Sequence, residues 1–290
     1  MKYSLFTVGV PEMHPEELLK KIKEYGYDGV DWRVTAIPTD PVILSEKPSY
    51  WRNNFCTYDI DRIDEQAEEI RKLTDSYGIE INALATYLDC GQEIGKIEKC
   101  MRAAQIMGCT RIRVNSFRYD PKEGYTALYA KAVAGFERVE NASRKYGVKA
   151  DFEMHMGTIT PSASAAFRLA CNFNPKYIGV IYDTGNMVYE GFENYQMGLE
   201  ILGPYLDLVH IKNAKWIKKT VDGAEKYAPD WAPFTDGHAD FDACFTALKK
   251  VGYNGYVTFE DFADLPSDEK LKSDLAFTKG VVEKIYGPEK

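Results

Sequence analysis

Four short apolar runs in the second half of this 290-residue sequence each end in a residue able to bind a metal. They are Lys149-Ala-Asp-Phe-Glu153, Ile178-Gly-Val-Ile-Tyr-Asp183, Leu206-Asp-Leu-Val-His210 and Tyr256-Val-Thr-Phe-Glu260. Each run reads as a buried strand with the special residue at its C-terminal end. Taken singly, Glu153 and Glu260 would serve in ion pairs, Asp183 as a helix cap and His210 as a packed core histidine. Four such groups placed alike on successive strands need a common partner, because a sheet core does not tolerate them bare. Three oxygens and one nitrogen suit one divalent ion: Mn²⁺ first, Co²⁺ or Mg²⁺ as well, and Zn²⁺ although it usually draws more His or Cys.

Alternation along a strand puts residues two apart on the same side. His155 therefore shares a side with Glu153, and Lys212 with His210, if those strands run on by two residues. His155, with an ordinary pKa near neutrality, suits a general base; support of a ligand or a loop hydrogen bond is the plainer use. Lys212 suits stabilisation of negative charge developing on an oxygen, or an ion pair with a neighbouring carboxylate.

The elements that must position these groups follow from a recurring phrase: a helical pattern, a Gly, then a strand. It appears around Gly26, Gly78, Gly108, Gly147 and Gly252, where glycine suits the left-handed residue just past a helix end. Strands are expected near Tyr3–Val8, Gly29–Arg33, Glu80–Ala85, Arg111–Val114, Lys149–Met154, Ile178–Tyr182, Leu206–Ile211 and Gly255–Phe259. Helices are expected near Pro15–Tyr25, Asp61–Tyr77, Ile94–Met107, Tyr125–Tyr146, Ser162–Cys171, Tyr195–Leu202, Asp242–Val251 and Asp268–Ile285. Eight strands alternating with eight helices predict a TIM (β/α)8 barrel, one domain over residues 1–290. An open doubly wound sheet would show a Gly-rich phosphate turn after the first strand, and Thr7-Val-Gly-Val-Pro-Glu-Met-His-Pro15 has a single Gly.

Two connections are long, after strands 2 and 7. Residues 35–60 carry Tyr50, Trp51, Phe55 and Tyr58, and residues 213–240 carry Trp216, Tyr227, Trp231, Phe234 and His238. Both leave the C-terminal ends of strands, where aromatic loops can cover a ligand or dock another chain, or simply pack on themselves. Tyr87, Asn115, Arg113 and Trp32 also fall near strand ends; Arg113 and Trp32 serve equally well as barrel packing.

A formal net charge of −8 argues against a nucleic-acid partner, which needs a basic stripe. No apolar run reaches membrane-spanning length, and the first residues do not form a signal peptide. Six scattered cysteines without a Cys-x-x-Cys pair read as reduced thiols, which fits a cytoplasmic location.

The order Glu, Asp, His, Glu on the last four strands resembles the xylose isomerase-like TIM barrels, the sugar phosphate isomerase/epimerase group. The phrases Glu153-Met-His-Met-Gly-Thr158, Tyr182-Asp-Thr-Gly-Asn186, Val209-His-Ile-Lys-Asn213 and Gly237-His-Ala-Asp-Phe241 carry the resemblance. It implies a metal that holds a carbonyl and an adjacent hydroxyl, with Glu153 and Glu260 removing and returning a proton beside the carbonyl of a small keto-sugar. Keto-sugar epimerases of the group have His and Arg where this chain has Asn186 and Trp216. The Glu-x-His-x-Gly-Thr phrase looks more like members that act on oxidised glycosides, among them catalytic subunits of C-glycoside deglycosidases. There a 3-keto C-glycoside is cleaved by β-elimination, with His155 and His238 as the matching proton carriers here. Such subunits work with a small β-sandwich partner; a homo-oligomer is the other arrangement expected. Asn186, Lys212, Trp216, His238 and Asn115 are the expected substrate contacts. Two other readings are a nuclease, disfavoured by four histidines in all, and a non-catalytic sugar-binding barrel.

Overall fold

A computed structural model describes residues 1–288. Eight parallel strands close into a ring: β1 (Lys2–Phe6), β2 (Gly29–Thr35), β3 (Glu80–Thr86), β4 (Arg111–Arg113), β5 (Lys149–Glu153), β6 (Ile178–Asp183), β7 (Leu206–Ile211) and β8 (Tyr256–Phe259). Each pairs with its neighbours in sequence order, and β8 pairs with β1 to complete the closure. Helices occupy the connections, so the molecule is the (β/α)8 barrel that the sequence predicts.

The period of two sorts the side chains. Trp32, Phe152, Tyr182, Val209 and Phe259 join the large cluster that packs strands against helices. Their alternates Ala83, Ile181 and Leu208 form a separate small cluster inside the ring. Burying a side chain the size of Phe152 contributes about 1.5–3 kcal/mol, which is why the strand cannot slip by one residue without inverting its core face. The same alternation turns Glu153, Asp183, His210 and Glu260 inward.

Helices stop where the phrase with glycine says they should. The helix Pro15–Tyr25 ends at Gly26 with φ 89°, and the helix Tyr125–Tyr146 ends at Gly147 with φ 67°, a left-handed conformation that a β-carbon would strain.

Several expectations are corrected. The first strand ends at Phe6, because Thr7–Gly9 turn as a 3-10 helix, and the fourth ends at Arg113 instead of Val114. The fifth ends at Glu153, so His155 lies past the strand. A short helix, Thr184–Tyr189, follows β6 at once, with the Asp183 side chain accepting from the backbone N–H of Asn186 at 2.8 Å. Asp183 is thus a cap as well as a metal-capable group. The long segment after β7 is an antiparallel hairpin, Asn213–Val221 with Ala224–Ala232. The segment after β2 holds one helical turn, Pro41–Leu44, and a strand, Thr57–Asp59, parallel to the end of β2. Among the described residues no helix is long and apolar enough to cross a membrane.

Candidate metal centre

Glu153, Asp183, His210 and Glu260 meet at the C-terminal end of the barrel. Each offers one ligand atom, all of these lie within 4.8 Å of one another, and all four residues are buried. His210 Nδ1 stands 3.8 Å from Glu153 Oε1, 4.0 Å from Asp183 Oδ2 and 3.8 Å from Glu260 Oε2. These separations are too long for hydrogen bonds and suit four atoms facing one centre. Asp183 Oδ2 and both His210 nitrogens have no hydrogen-bond partner although buried. Orphaned polar atoms at this depth are costly. A divalent cation would satisfy His210 Nδ1, the nitrogen that faces the three carboxylates, and would share Asp183 Oδ2 with Lys212, so the donor set fits one.

Neighbours hold the ligands in place. Arg113 Nη1 donates to Glu153 Oε2 at 2.6 Å, and Asn186 Nδ2 donates to Glu153 Oε1 and to the Met154 carbonyl, both at 3.0 Å. Asp31 faces His210 Nε2 at 3.7 Å. It is itself fixed by Ser4 at 2.5 Å, Asn82 at 2.7 Å and Thr258 at 3.1 Å. Lys212 reaches into the cluster: its ammonium bonds Glu260 and lies 3.0 Å from Asp183 Oδ2 and 3.6 Å from Glu153 Oε1. Gly185 makes room for it, since a β-carbon there would come within 2.3 Å of Lys212 Cγ.

Burial pushes Glu153 upward, but Arg113 and Lys212 outweigh it and hold its carboxyl well below the usual range. Burial likewise opposes ionisation of Glu260, and Lys212 with His210 brings it below its ordinary value. Burial drives Asp183 well above the carboxylate range, with Lys212 opposing. Both glutamates are therefore anions at neutral pH, ready to accept a proton.

His155 lies just beyond β5, half-buried, and shares the cavity wall with Glu153. Its Nδ1 is 2.7 Å from the Met156 carbonyl oxygen, which selects the Nδ1–H tautomer and leaves Nε2 to take up a proton. Burial lowers its pKa, with Glu153 opposing, so the imidazole is neutral at pH 7.

Above the cluster opens a cavity of about 640 Å³. Of the expected substrate contacts, Lys212, Asn186 and Asn115 line it. Trp216 and His238 do not. The Trp216 indole N–H donates to the Val188 carbonyl at 2.7 Å, and His238 Nδ1 accepts from the Trp216 backbone N–H at 3.4 Å. Trp231, from the facing strand of the hairpin, lines the cavity instead, with Trp51, Tyr87 and Phe262. Sequence reasoning did not place Arg33, Arg118 or Asp31 here. The signal was present for two of them: in Asp31-Trp32-Arg33, with Trp32 in the outer core, Asp31 and Arg33 must both face inward.

The profile of the family described as "Xylose isomerase-like TIM barrel" matches residues 19–281. Curated relatives include the inosose dehydratase of Geobacillus kaustophilus, 27% identical over 138 residues, 44% of each chain. That of Bacillus velezensis is 25% identical over 164 residues, 53% of this chain and 54% of that one. The chain thus spans about half the length of the curated relatives it matches. A 3-keto-D-glucoside 4-epimerase from E. coli superposes with a TM-score of 0.71 at 18% identity, covering 97% of this chain and 99% of that one. The IolI protein with a bound zinc atom gives 0.72 at 18% identity over 99% and 100%, and a D-psicose 3-epimerase 0.69 at 14% over 99% and 100%. At these identities the likeness shows the fold.

Proposed function

The chain belongs to the xylose isomerase-like TIM barrel family, and on that premise we propose that it is a divalent-metal-dependent enzyme acting beside the carbonyl of a keto-sugar or keto-glycoside. It removes a proton from the neighbouring carbon and returns it, giving isomerisation or epimerisation. The observation that carries this reading is the convergence of four buried ligand atoms, among them His210 Nδ1, which has no hydrogen-bond partner. Glu153, Asp183, His210 and Glu260 would hold the ion, Mn²⁺ by preference. When bound, a divalent cation polarises the carbonyl and stabilises the negative charge that develops as the adjacent C–H bond breaks.

The side chains divide the remaining work. Glu153 and Glu260 come from β5 and from the residue after β8, and both are ionised. One takes the proton from carbon and, as the acid so formed, returns it to the neighbouring carbon in isomerisation; in epimerisation the other glutamate first takes up a proton from water and then delivers it to the opposite side of the planar carbon, inverting its configuration. Arg113 and Asn186 fix Glu153 in that role; Lys212 holds Glu260 and supplies positive charge beside the reacting oxygens. Trp51, Trp231 and Phe262 shield the reaction from water.

Elimination is the second reading, favoured by His155. His155 is a third proton carrier on the wall of the cavity: its Nε2 takes the proton from carbon and the imidazolium so formed passes it to the departing oxygen or aglycone carbon. The C–H electrons form a C=C bond and the bond to the leaving group breaks. The inosose dehydratase relatives act by name in a dehydration, which supports this course. A 3-keto C-glycoside would be the corresponding glycoside substrate, with a small β-sandwich subunit as partner.

One incubation tests both. Metal-loaded protein is mixed with a 3-keto glycoside in D₂O and followed by NMR. Deuterium entering beside the ketone with a new epimer supports the first reading, and released aglycone supports the second. Protein that takes up no divalent ion and exchanges no C–H sinks both.

A further inference from the structure

We propose that Arg33 forms an anion-recognising subsite on the wall of the cavity, so that the substrate carries a carboxylate or phosphate group in addition to its ketone. The inference rests on the reading of the cavity as a keto-sugar site and adds the class of sugar.

Arg33 is a cation 7% exposed that faces the cavity from β2. Its only side-chain hydrogen bond among the described residues runs from Nη1 to Thr57 Oγ1 at 2.6 Å, and its buried Nε has no partner. Thr57 is neutral and gives its own proton to Asn54 Oδ1 at 3.2 Å. Arg33 forms no salt bridge among the described residues, whereas Arg111 and Arg113, the other inward-facing arginines, are both ion-paired. A guanidinium removed from water without an anion is expensive. In a chain of net charge −8, leaving this one unpaired is a costly choice unless a ligand completes it.

The surroundings shape the subsite. The Tyr87 ring lies 5.1 Å from the Arg33 guanidinium carbon and 4.9 Å from that of Arg113, so one ring links the free cation to the one that holds Glu153. Tyr87 Oη and Asn115 Oδ1 are also buried without partners, and both line the same cavity, ready for sugar hydroxyls. Arg118 lines the mouth, exposed. Asp89 also lines the cavity, with its Oδ1 accepting from the Gly91 backbone N–H at 2.8 Å. A guanidinium fork matches the oxygens of a carboxylate or phosphate.

Calorimetric titration of the metal-loaded protein with matched pairs tests this: D-ribulose against D-ribulose 5-phosphate, and D-fructose against D-fructuronate. At least one anionic member should bind about tenfold or more tightly than its neutral partner, and the pair that shows it names phosphate or carboxylate. Arg33→Met should erase the preference, Arg33→Lys should keep part of it, and added salt should weaken it. Equal or weaker binding of both anions in the wild type overturns the proposal, as does no binding at all, or a preference that survives in Arg33→Met. The wild-type comparison stands even where a variant fails to fold. Metal content is measured on the same samples: an anion preference without metal uptake sinks the catalytic reading and leaves the subsite.

Discussion

The ligand residues advertise themselves because each interrupts an apolar run at its end; the residues that support them do not. Asp31 lies in Gly-Val-Asp-Trp-Arg-Val, where a polar residue alternates with apolar ones as in any half-buried strand. Its partners Ser4, Asn82 and Thr258 come from three other strands, a meeting that only the closed ring reveals. Its role is nonetheless sharp, for a carboxylate behind an imidazole ligand fixes the ring and raises its basicity. Asp31→Asn should weaken Mn²⁺ binding about 10–100-fold, read by competition with a fluorescent chelator; unchanged affinity would reduce Asp31 to packing. Lys212 makes a second residue-scale case. Burial opposes its charge, but Asp183, Glu260 and Glu153 prevail and raise its pKa. Its loss leaves three buried carboxylates facing one another, so Lys212→Met should destabilise the metal-free protein by about 3–5 kcal/mol. Added Mn²⁺ should restore much of that in a thermal melt. A variant as stable as wild type without metal would show that the lysine is not what balances the cluster.

Elements were legible where a period and a stop signal agreed, and illegible where function shaped the chain. The helices Pro15–Tyr25, Ile94–Met107, Tyr125–Tyr146 and Tyr195–Leu202 fall where apolar spacing and terminal glycine put them. The hairpin after β7 escaped because its tip, Asp222-Gly223, sits between strands rich in lysine and exposed side chains, with no apolar face to betray alternation. The expected ligands Trp216 and His238 moved out with it, and Trp231 moved in. The final helix, Ser267–Tyr286, adds a hidden device. Burial, then the neighbouring Asp261, raise the Asp274 carboxyl to about 9, with Lys270 opposing. The folded pKa lies above the unfolded value of about 4. The contribution of that bound proton is complete below pH ~4 and is lost as pH climbs through about 9. Asp274→Asn keeps a neutral side chain at every pH. It should raise stability at pH 8 by at least about 1 kcal/mol, roughly 2–4 °C in melting temperature, with the gain vanishing near pH 4. A gain that is constant with pH would point to packing and not to the proton.

At the scale of the molecule, the candidate metal-binding cluster and the barrel explain each other. A ring of eight strands needs its interior filled, and lower down Ala83, Ile181 and Leu208 fill it. At the upper end the interior positions of β5 to β7 and the residue after β8 carry Glu153, Asp183, His210 and Glu260, groups that repel or strand one another without a cation. The stretch they span, from 153 to 260, covers half the ring, β5 to β8, and ends on the strand that closes against β1. An ion there ties four consecutive strands through side chains as well as through their ladders. Because the unfolded chain cannot assemble the site, binding free energy adds to folding free energy. With free Mn²⁺ at about 100 times its dissociation constant, the gain is about 2.7 kcal/mol, which at this chain size moves the melting temperature by roughly 4–5 °C. EDTA should reverse the shift in wild type, and Glu260→Gln, which removes one anionic ligand, should shrink it. A melting temperature indifferent to both Mn²⁺ and EDTA would mean that Lys212 and Arg113 already balance the cluster, and that the four side chains are structural ions within a barrel that needs no metal.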